Sequence, residues 1–263
     1  ELHDVEFRES NLKTVDFTLT SQFKRPAIVS SNIDEAKFDD LHLAGSTWRD
    51  IDSEQVLLRN VVFSGAEFEN VKLSASNLMC ANFDSVDLSD CGFPASQMPR
   101  TILRGCNLKN IDLTGANLSH SKCHEANFEG AILNRAIASY SDMSGANLQN
   151  TKLNEAVLNR ANLENSLLSG ADLRGASFIK AGMYQSVIRD IIINDYTRFG
   201  GVTAYETVSM YTYVLPTEYD ISRHRAASWT YRQLEELYRR NADPETSIEY
   251  HIKHKRTIQK FYK

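Results

Sequence analysis

The segment HSKCH, residues 120–124, places two histidines and a cysteine close together in the sequence. Imidazole nitrogens and a thiolate are ligands that Zn²⁺ prefers, so this spacing is compatible with a metal site. Three further cysteines, Cys80, Cys91 and Cys106, would be able to add ligands or redox chemistry. The chain contains no C-x-x-C, G-x-S-x-G, P-loop or G-x-G-x-x-G segment. Whether these side chains can meet depends on the elements that carry them.

An apolar residue stands at every fifth position without interruption from Leu148 to Phe178, and this period predicts the elements. A helix would rotate successive members of this series by about 500°, and a flat strand would alternate them between two faces. If the chain turns through about a quarter circle per repeat, however, every member points inward. Four repeats then close a square coil, and residue n stacks on residue n+20.

The same period extends through most of the chain. It runs through residues 23–193 with a lapse at Ser53 and a small residue at Ala138, and it holds one place earlier over residues 2–17. Two residues before each large inward residue, a small one is preferred, so each side of a coil has one large and one small inward position. At about 4.8 Å per coil, nine to ten coils would form a rod of about 45 Å.

The repeated pattern A-(N/D)-L, as in Ala146-Asn147-Leu148 and Ala171-Asp172-Leu173, resembles that of the pentapeptide-repeat proteins. The resemblance implies an all-β solenoid, a right-handed quadrilateral β-helix. Proteins of this family serve as scaffolds, inhibitors, effector domains and immunity factors, so the fold alone does not select one function.

The period predicts a division of the chain into three parts. Residues 1–194 are expected to form the β-helix, and residues 195–224, which are rich in tyrosine, an aromatic connector or cap. Residues 225–263 have apolar residues at helical spacing and are expected to form a small α-helical hairpin. Asp243-Pro244 is a helix-start signal and predicts where the second helix begins.

Residues 231–263 resemble the helical hairpin that follows pentapeptide repeats in some bacterial proteins whose chains continue into membrane helices. The resemblance implies that the basic second helix lies near an anionic membrane surface, through Lys253, Lys255, Arg256 and Lys260. A plain capping hairpin is the alternative. Because no segment is apolar enough to span a membrane and no signal peptide is visible, we expect a cytoplasmic protein, membrane-associated if it belongs to a longer chain.

The five-residue register argues against a metal site at residues 120–124. Cys123 takes an inward position, whereas His120 and His124 point outward, so the three side chains cannot converge. Cys91 and Cys106 also point inward and are predicted to be small core residues in a reducing compartment. We therefore expect no metal, no cofactor and no enzymatic activity.

Departures from the regular repeat are candidate interaction sites. Trp48 is bulky for the interior and lies near the lapse at Ser53. Pro94 and Pro99 fall in neighbouring repeats, where we expect them to distort one corner or form a small loop. The competing explanation for each is a compensation in packing.

Charge is unevenly distributed along the chain. Residues 221–263 hold ten Lys and Arg against five Asp and Glu, a balance of +5. The whole chain holds 29 against 34, so residues 1–220 hold 19 against 29, a balance of −10. An acidic rod therefore has a basic tail, which bears on partners more than on fold.

These observations favour a non-enzymatic interaction scaffold whose partner is another protein, with a homo-oligomer as a further option. One alternative, taken from the resemblance, is a DNA mimic that binds a type II topoisomerase, which the negative rod would permit. A second is the substrate-binding part of a larger effector. Direct nucleic-acid binding is disfavoured, because basic residues on the rod are scattered and outnumbered.

Overall fold

The computed structural model describes residues 2–19, 23–200, 218–241 and 243–261. The chain first winds into a β-solenoid and then forms two helices, as predicted. The strands are β1 (Leu2–His3), β2 (Glu6–Arg8), β3 (Phe23–Lys24), β4 (Ala27–Val29), β5 (Thr47–Glu54) and β6 (Glu67–Ser74). Helix α1 spans Glu218–Arg240, and helix α2 spans Pro244–Phe261.

Every strand pairs in parallel with the strand one coil away. From β4 onward residue n pairs with residue n+20, as Ile28 does with Trp48. Phe7 is paired with Ile28, one place beyond n+20, because the chain takes one longer step between Phe17 and Phe23. Single parallel bridges continue this register along the rod up to the last one, in which Ser177 pairs with Arg198, one place beyond n+20. One column of bridged residues contains Asp16, Lys37, Leu57, Asn77, Gln97, Asn117, Ile137, Val157, Ser177 and Arg198.

The core is a single apolar column inside the coils. The large inward residues are almost completely enclosed, and Leu148, Leu158 and Leu168 expose none of their surface. Small inward residues such as Ala146 and Ala156 fill the remaining space. One large and one small side chain on each side of a coil therefore fill the cross-section at close packing.

Each corner of the coil has a turn that ends on a residue with positive φ. Most of these residues are not glycine; Arg100 and Tyr140, for example, both have φ of 60°. The backbone bonds of the next coil hold them in place, since the Tyr140 N–H donates to the Asn159 carbonyl at 3.1 Å. Gly130, with φ of 70°, has the conformation that glycine adopts without strain, and a Cβ there would also displace the Asn110 side chain, whose Oδ1 would lie 2.6 Å away.

The last coil extends beyond the predicted end at residue 194. Arg198 bridges to Ser177, and the Phe199 ring stacks on Phe178 with centroids 5.4 Å apart. The predicted end was early because a second long step, from Ile193 to Phe199, shifts the register by one place.

The start of the hairpin also differs from the prediction. Helix α1 begins at Glu218, well before the predicted boundary at residue 225. The part of the predicted connector that comprises residues 201–217 lies outside the described residues. The division into three domains stays a prediction.

The predicted start of α2 is confirmed. Oδ1 of Asp243 accepts a hydrogen bond from the Thr246 N–H at 3.0 Å, which satisfies one of the free donors in the first turn. The hydrogen bonds from Thr246 lower the pKa of the Asp243 carboxyl. Asn241 closes α1, since its side-chain amide donates to the Leu237 carbonyl at 2.9 Å.

The two helices pack on each other and on the last coil through aromatic residues. Between the helices, the Tyr238 and Tyr250 rings stack with centroids 5.5 Å apart. Towards the rod, Phe199 meets the Tyr238 ring edge-on at 6.3 Å, and the Tyr250 hydroxyl donates to the Gly200 carbonyl at 3.0 Å. The hairpin thus covers the end of the solenoid, where an open coil would expose unpaired backbone groups.

Candidate functional site

The histidines and the cysteine at residues 120–124 diverge, as the register predicts. The Cys123 side chain is buried beside the Ser121 hydroxyl, with Oγ and Sγ 3.2 Å apart. The His120 ring lies on the outside against Tyr140, and His124 Nδ1 lies 3.1 Å from Oγ of Ser144. Within the described residues, no group of three or more His, Cys, Asp or Glu side chains is arranged to hold a metal ion.

The buried thiols are poor nucleophiles. Burial raises the pKa of Cys106 and of Cys123 to about 12, and it raises the pKa of Cys91 as well. Sγ of Cys106 donates to the Phe83 carbonyl at 2.8 Å, which leaves the thiol neutral and hydrogen-bonded. Since the thiolate is the reactive form, these three cysteines act as small core residues.

Trp48 lies in the core, and this corrects its candidacy as a contact residue. Its side chain has no exposed surface, and its Nε1–H donates to Oγ of Ser46 at 2.8 Å. The indole stacks on Phe68 with ring centroids 5.9 Å apart. On the next side of the coil Ser53 is small, and its Oγ accepts a hydrogen bond from the Ile33 N–H at 3.1 Å. The indole is enclosed by aromatic rings of the core, and a partner cannot reach it.

Pro94 and Pro99 do not distort the corner, contrary to expectation. Both occupy the turn position whose N–H is not needed for pairing with the next coil. One coil later, the N–H at such a position donates to a side chain, as from Ser119 to Oδ1 of Asn117 at 3.0 Å. The carbonyls of both prolines still accept bonds from the preceding coil, for example from the Cys80 N–H to Pro99 at 3.0 Å. Proline is therefore accommodated here without losing a backbone bond.

Lys253 and Arg256 lie three positions apart on one side of α2, and Lys255 lies on another side. Lys253 is paired with Glu249, and its Nζ lies 5.1 Å from the centre of the Tyr250 ring. Lys255 and Arg256 are both exposed, and Lys255 also lies beside the last coil of the solenoid. The side chain of Lys260 lies outside the described residues.

Lys255 lines a cleft of about 990 Å³ between the last coil and the hairpin. Its lining residues include Arg189, Trp229, Arg232, His251 and His254. Glu235 interacts with both histidines, with its Oε1 2.9 Å from His251 Nδ1 and its Oε2 3.7 Å from His254 Nδ1. Burial lowers the pKa of His254 against the opposing effect of Glu235. The sequence did not predict this cleft, because the residues that line it are far apart in the sequence.

Most of the ion pairs on the described part of the rod run between neighbouring coils. Arg104 meets Asp84 at 3.1 Å, and Arg135 meets Glu155 at 2.9 Å, and each pair joins residue n to residue n+20. The stacking of n on n+20, found in the sequence, is the signal that locates such pairs. Most members are exposed, so each pair contributes little to stability, but together they order the surface side chains in columns.

None of the described helices has a stretch that is long and apolar enough to cross a membrane. This finding covers α1 and α2 within residues 218–241 and 243–261.

Comparison with known protein families identifies the repeats of this chain. A family model described as Pentapeptide repeats matches in eight copies and covers more than half of the chain. The matched segments are residues 36–74, 58–93, 100–135, 141–178 and 156–190. No curated protein matches the sequence significantly.

Several solved structures resemble this chain. A pentapeptide repeat protein from the thylakoid lumen of Arabidopsis thaliana is 28% identical with a TM-score of 0.36, over 36% of this chain and 66% of that one. HetL, involved in heterocyst differentiation regulation in the cyanobacterium Nostoc, is 16% identical with a TM-score of 0.28, over 73% of this chain and 88% of its own. QnrB1, a plasmid-mediated fluoroquinolone resistance protein, is 13% identical with a TM-score of 0.30, over 73% and 94% respectively. With the repeat in the sequence and the coils in the structure, the family model shows that this chain belongs to the pentapeptide repeat family.

Proposed function

We propose that this protein is a non-enzymatic scaffold whose rod presents ordered columns of side chains to a partner protein. The observation that carries the proposal is the column of bridged residues from Asp16 to Arg198, which continues from coil to coil along the whole rod. Outward side chains at equivalent positions therefore repeat at about 4.8 Å. Members of this family are generally non-enzymatic structural or interaction proteins, which supports the same interpretation.

The rigidity of the rod favours binding without reorganisation. Each bridged outward residue is held by two backbone bonds to a neighbouring coil, as in Asn127, whose N–H donates to the Cys106 carbonyl and whose carbonyl accepts from the Leu108 N–H of the preceding coil. A surface that is already ordered loses little conformational entropy when a partner binds. The interaction energy of a few well-placed side chains then contributes to affinity, because little of it is lost in ordering the surface.

The hairpin serves this rod as a cap in our proposal. The contacts of Tyr238 and Tyr250 with Phe199 and Gly200 support that role. The membrane-proximal role needs a basic face, whereas Lys253 is paired with Glu249 on its own helix. A DNA mimic needs a largely unneutralised negative surface, and pairs such as Arg135–Glu155 interrupt it.

The scaffold proposal can be tested by affinity capture. The full chain is used as bait in a lysate of its source organism, with QnrB1 as a control bait of the same fold. Captured proteins are identified after lysine cross-linking, and each is then purified and mixed with the full chain for sedimentation analysis. We expect a stoichiometric complex with cross-links to rod lysines such as Lys122 and Lys180.

Two results would overturn the scaffold proposal. One is that no protein binds this chain beyond those that bind QnrB1. The other is a set of cross-links confined to α1 and α2, which would make the hairpin the functional end. Inhibition of gyrase supercoiling by the purified chain at stoichiometric amounts would replace the scaffold with the DNA mimic.

A further inference from the structure

One corner of the rod has a column of basic and aromatic side chains, which we call the cationic ridge. It comprises Arg100, His120, Tyr140, Arg160 and Lys180, each one coil after the last. All five have φ of 60° and occupy the same turn position in five successive coils. Their side chains therefore leave the rod in the same direction, about 4.8 Å apart.

Side chains in the middle of the ridge stack on one another. The His120 and Tyr140 rings are nearly parallel, with centroids 5.0 Å apart and an angle of 7° between their planes. On the other side, Cζ of Arg160 lies 5.5 Å from the centre of the Tyr140 ring. These contacts hold the exposed groups in extended positions, since a guanidinium and an aromatic face attract each other.

The cations of the ridge form no ion pair with the acidic residues that the structure describes. Across the parts of the chain that the structure describes, Arg100, Arg160 and Lys180 form no ion pair. By contrast, Arg104 and Arg135, on other corners of the rod, are both paired with carboxylates of a neighbouring coil. The ridge is thus a positive strip on a rod whose overall balance is negative.

The positions on the side of the coil that precedes the ridge are uncharged as well, whereas the side that follows it carries Lys122 and Asp142. The turn residues that precede the five ridge residues are Pro99, Ser119, Ser139, Asn159 and Ile179. The outward residues of the adjoining side are Gln97, Asn117, Ile137, Val157 and Ser177. Ile137 is 43% exposed and gives this side an apolar contact point in the centre of the strip.

We propose that the cationic ridge binds an extended acidic segment of a partner protein. From Arg100 to Lys180 the ridge is about 19 Å long, which about six residues of an extended chain would span. Carboxylates of such a segment would meet Arg100 at one end and Arg160 with Lys180 at the other. An apolar or aromatic residue between them would meet Tyr140 and Ile137. The inference rests on the proposed scaffold function and names its contact surface.

A short segment fits the ridge better than other polyanions. Duplex DNA is wider than one corner and would bring its phosphates against the acidic sides of the rod, such as those bearing Glu125 and Glu155. A peptide strand can remain within the strip of uncharged and basic side chains. The steep distance dependence of screened charge interactions makes this difference matter at physiological salt.

The test uses the full chain and a fluorescein-labelled peptide of about eight glutamates, followed by fluorescence anisotropy at low salt. Arg100→Gln with Arg160→Gln is the test variant. Lys72→Gln with Lys152→Gln is the matched control, because both lysines are exposed and lack an ion pair within the described residues. Each double variant removes two positive charges. We expect the test variant to weaken binding about tenfold and the control to change it less than about twofold.

Other outcomes would overturn the ridge proposal. An equal loss in both variants would mean that peptide binding follows net charge, and no binding by the natural chain would mean that the ridge does not take acidic segments. Tighter binding of duplex DNA than of the peptide would reassign the surface to nucleic acid. Self-association that disappears in the test variant would reassign it to a second copy. A captured partner that binds the test variant unchanged would leave the scaffold function standing and remove only the ridge from it.

Discussion

The two halves of the rod fill the same coil with different side chains. The first half has nine aromatic residues at large inward positions: Phe7, Phe17, Phe23, Phe38, Trp48, Phe63, Phe68, Phe83 and Phe93. Between residues 98 and 173, Phe128 is the single aromatic residue at such a position, and leucine with alanine predominates. Both halves nevertheless keep the same pairing of residue n with residue n+20.

The comparison indicates that the backbone ladder sets the cross-section and the side chains adapt to it. In the aromatic half, rings stack from coil to coil, as Phe63 does on Phe83 with centroids 4.7 Å apart. Trp48 belongs to this series, with its ring centroid 5.6 Å from that of Phe63 and 5.9 Å from that of Phe68. The aliphatic half instead repeats one large and one small inward residue.

The largest expected effect tests this difference directly. Trp48 and Leu148 occupy the same position in coils far apart on the rod, and neither is exposed. We expect Trp48→Ala to lower the free energy of unfolding by about 4–5 kcal/mol and Leu148→Ala by about 2–3 kcal/mol, because the larger side chain leaves the larger cavity. Urea unfolding of both variants measures the difference, and hydrogen exchange shows which coils open. Equal losses would mean that the aromatic half relaxes around its cavity and is the softer of the two.

A smaller effect on stability is expected from the carboxyl groups of Asp172 and Asp52, which occupy equivalent positions in the two halves. Hydrogen bonds from Arg174 lower the pKa of Asp172 from 3.8 to about 2, whereas Asp52, in the same column, is exposed. Because the folded-state pKa is the lower one, the stabilisation is present above about pH 4 and is lost as the pH falls towards 2. Solvent screening of the exposed Arg174 limits it to about 1 kcal/mol.

We therefore expect Asp172→Asn to lower stability by about 1 kcal/mol at pH 7 and to match the natural chain near pH 2. Asp52→Asn is the control and should have little effect at either pH. Thermal unfolding at a series of pH values measures both. A loss for Asp172→Asn that does not depend on pH would assign its effect to packing or hydrogen bonding, not to charge.

The smallest expected effect tests whether the two halves have the same internal width. Val56 and Ala156 occupy equivalent positions, beside Leu58 and Leu158 respectively, and all four are buried. If the width is equal, Ala156→Val introduces a residue that the first half already accommodates. We expect a change in the free energy of unfolding below about 1 kcal/mol, measured by urea unfolding. A loss of about 3 kcal/mol would show that the aliphatic half is narrower.

Much of the fold could be predicted from the sequence because one period determines which residues point inward. The same period correctly separated Cys123 from His120 and His124. It also indicates which outward residues are neighbours, in the ion pairs between coils and in the cationic ridge, since residues n and n+20 at an outward position lie in one column. The ridge was overlooked because the period was applied to inward positions and not to the surface.

Other features depended on information that the period lacks. The two prolines were expected to distort a corner because the sequence does not show which N–H groups pair between coils. The end of the rod was placed too early because a longer step interrupts the count before Phe199. The cleft beside the hairpin depends on how Arg189 of the last coil and Arg232 of α1 come together, which no local pattern encodes.

The positive φ at the corners sets a trade-off between stability and function along the ridge. An L-amino acid in this conformation costs roughly 1–2 kcal/mol, and glycine avoids most of that cost. Tyr140 is an especially poor occupant on steric grounds, yet its ring is the one that His120 and Arg160 contact. A chain with glycine at all five ridge positions would avoid this backbone cost, and it would have no side chains there for a partner to contact.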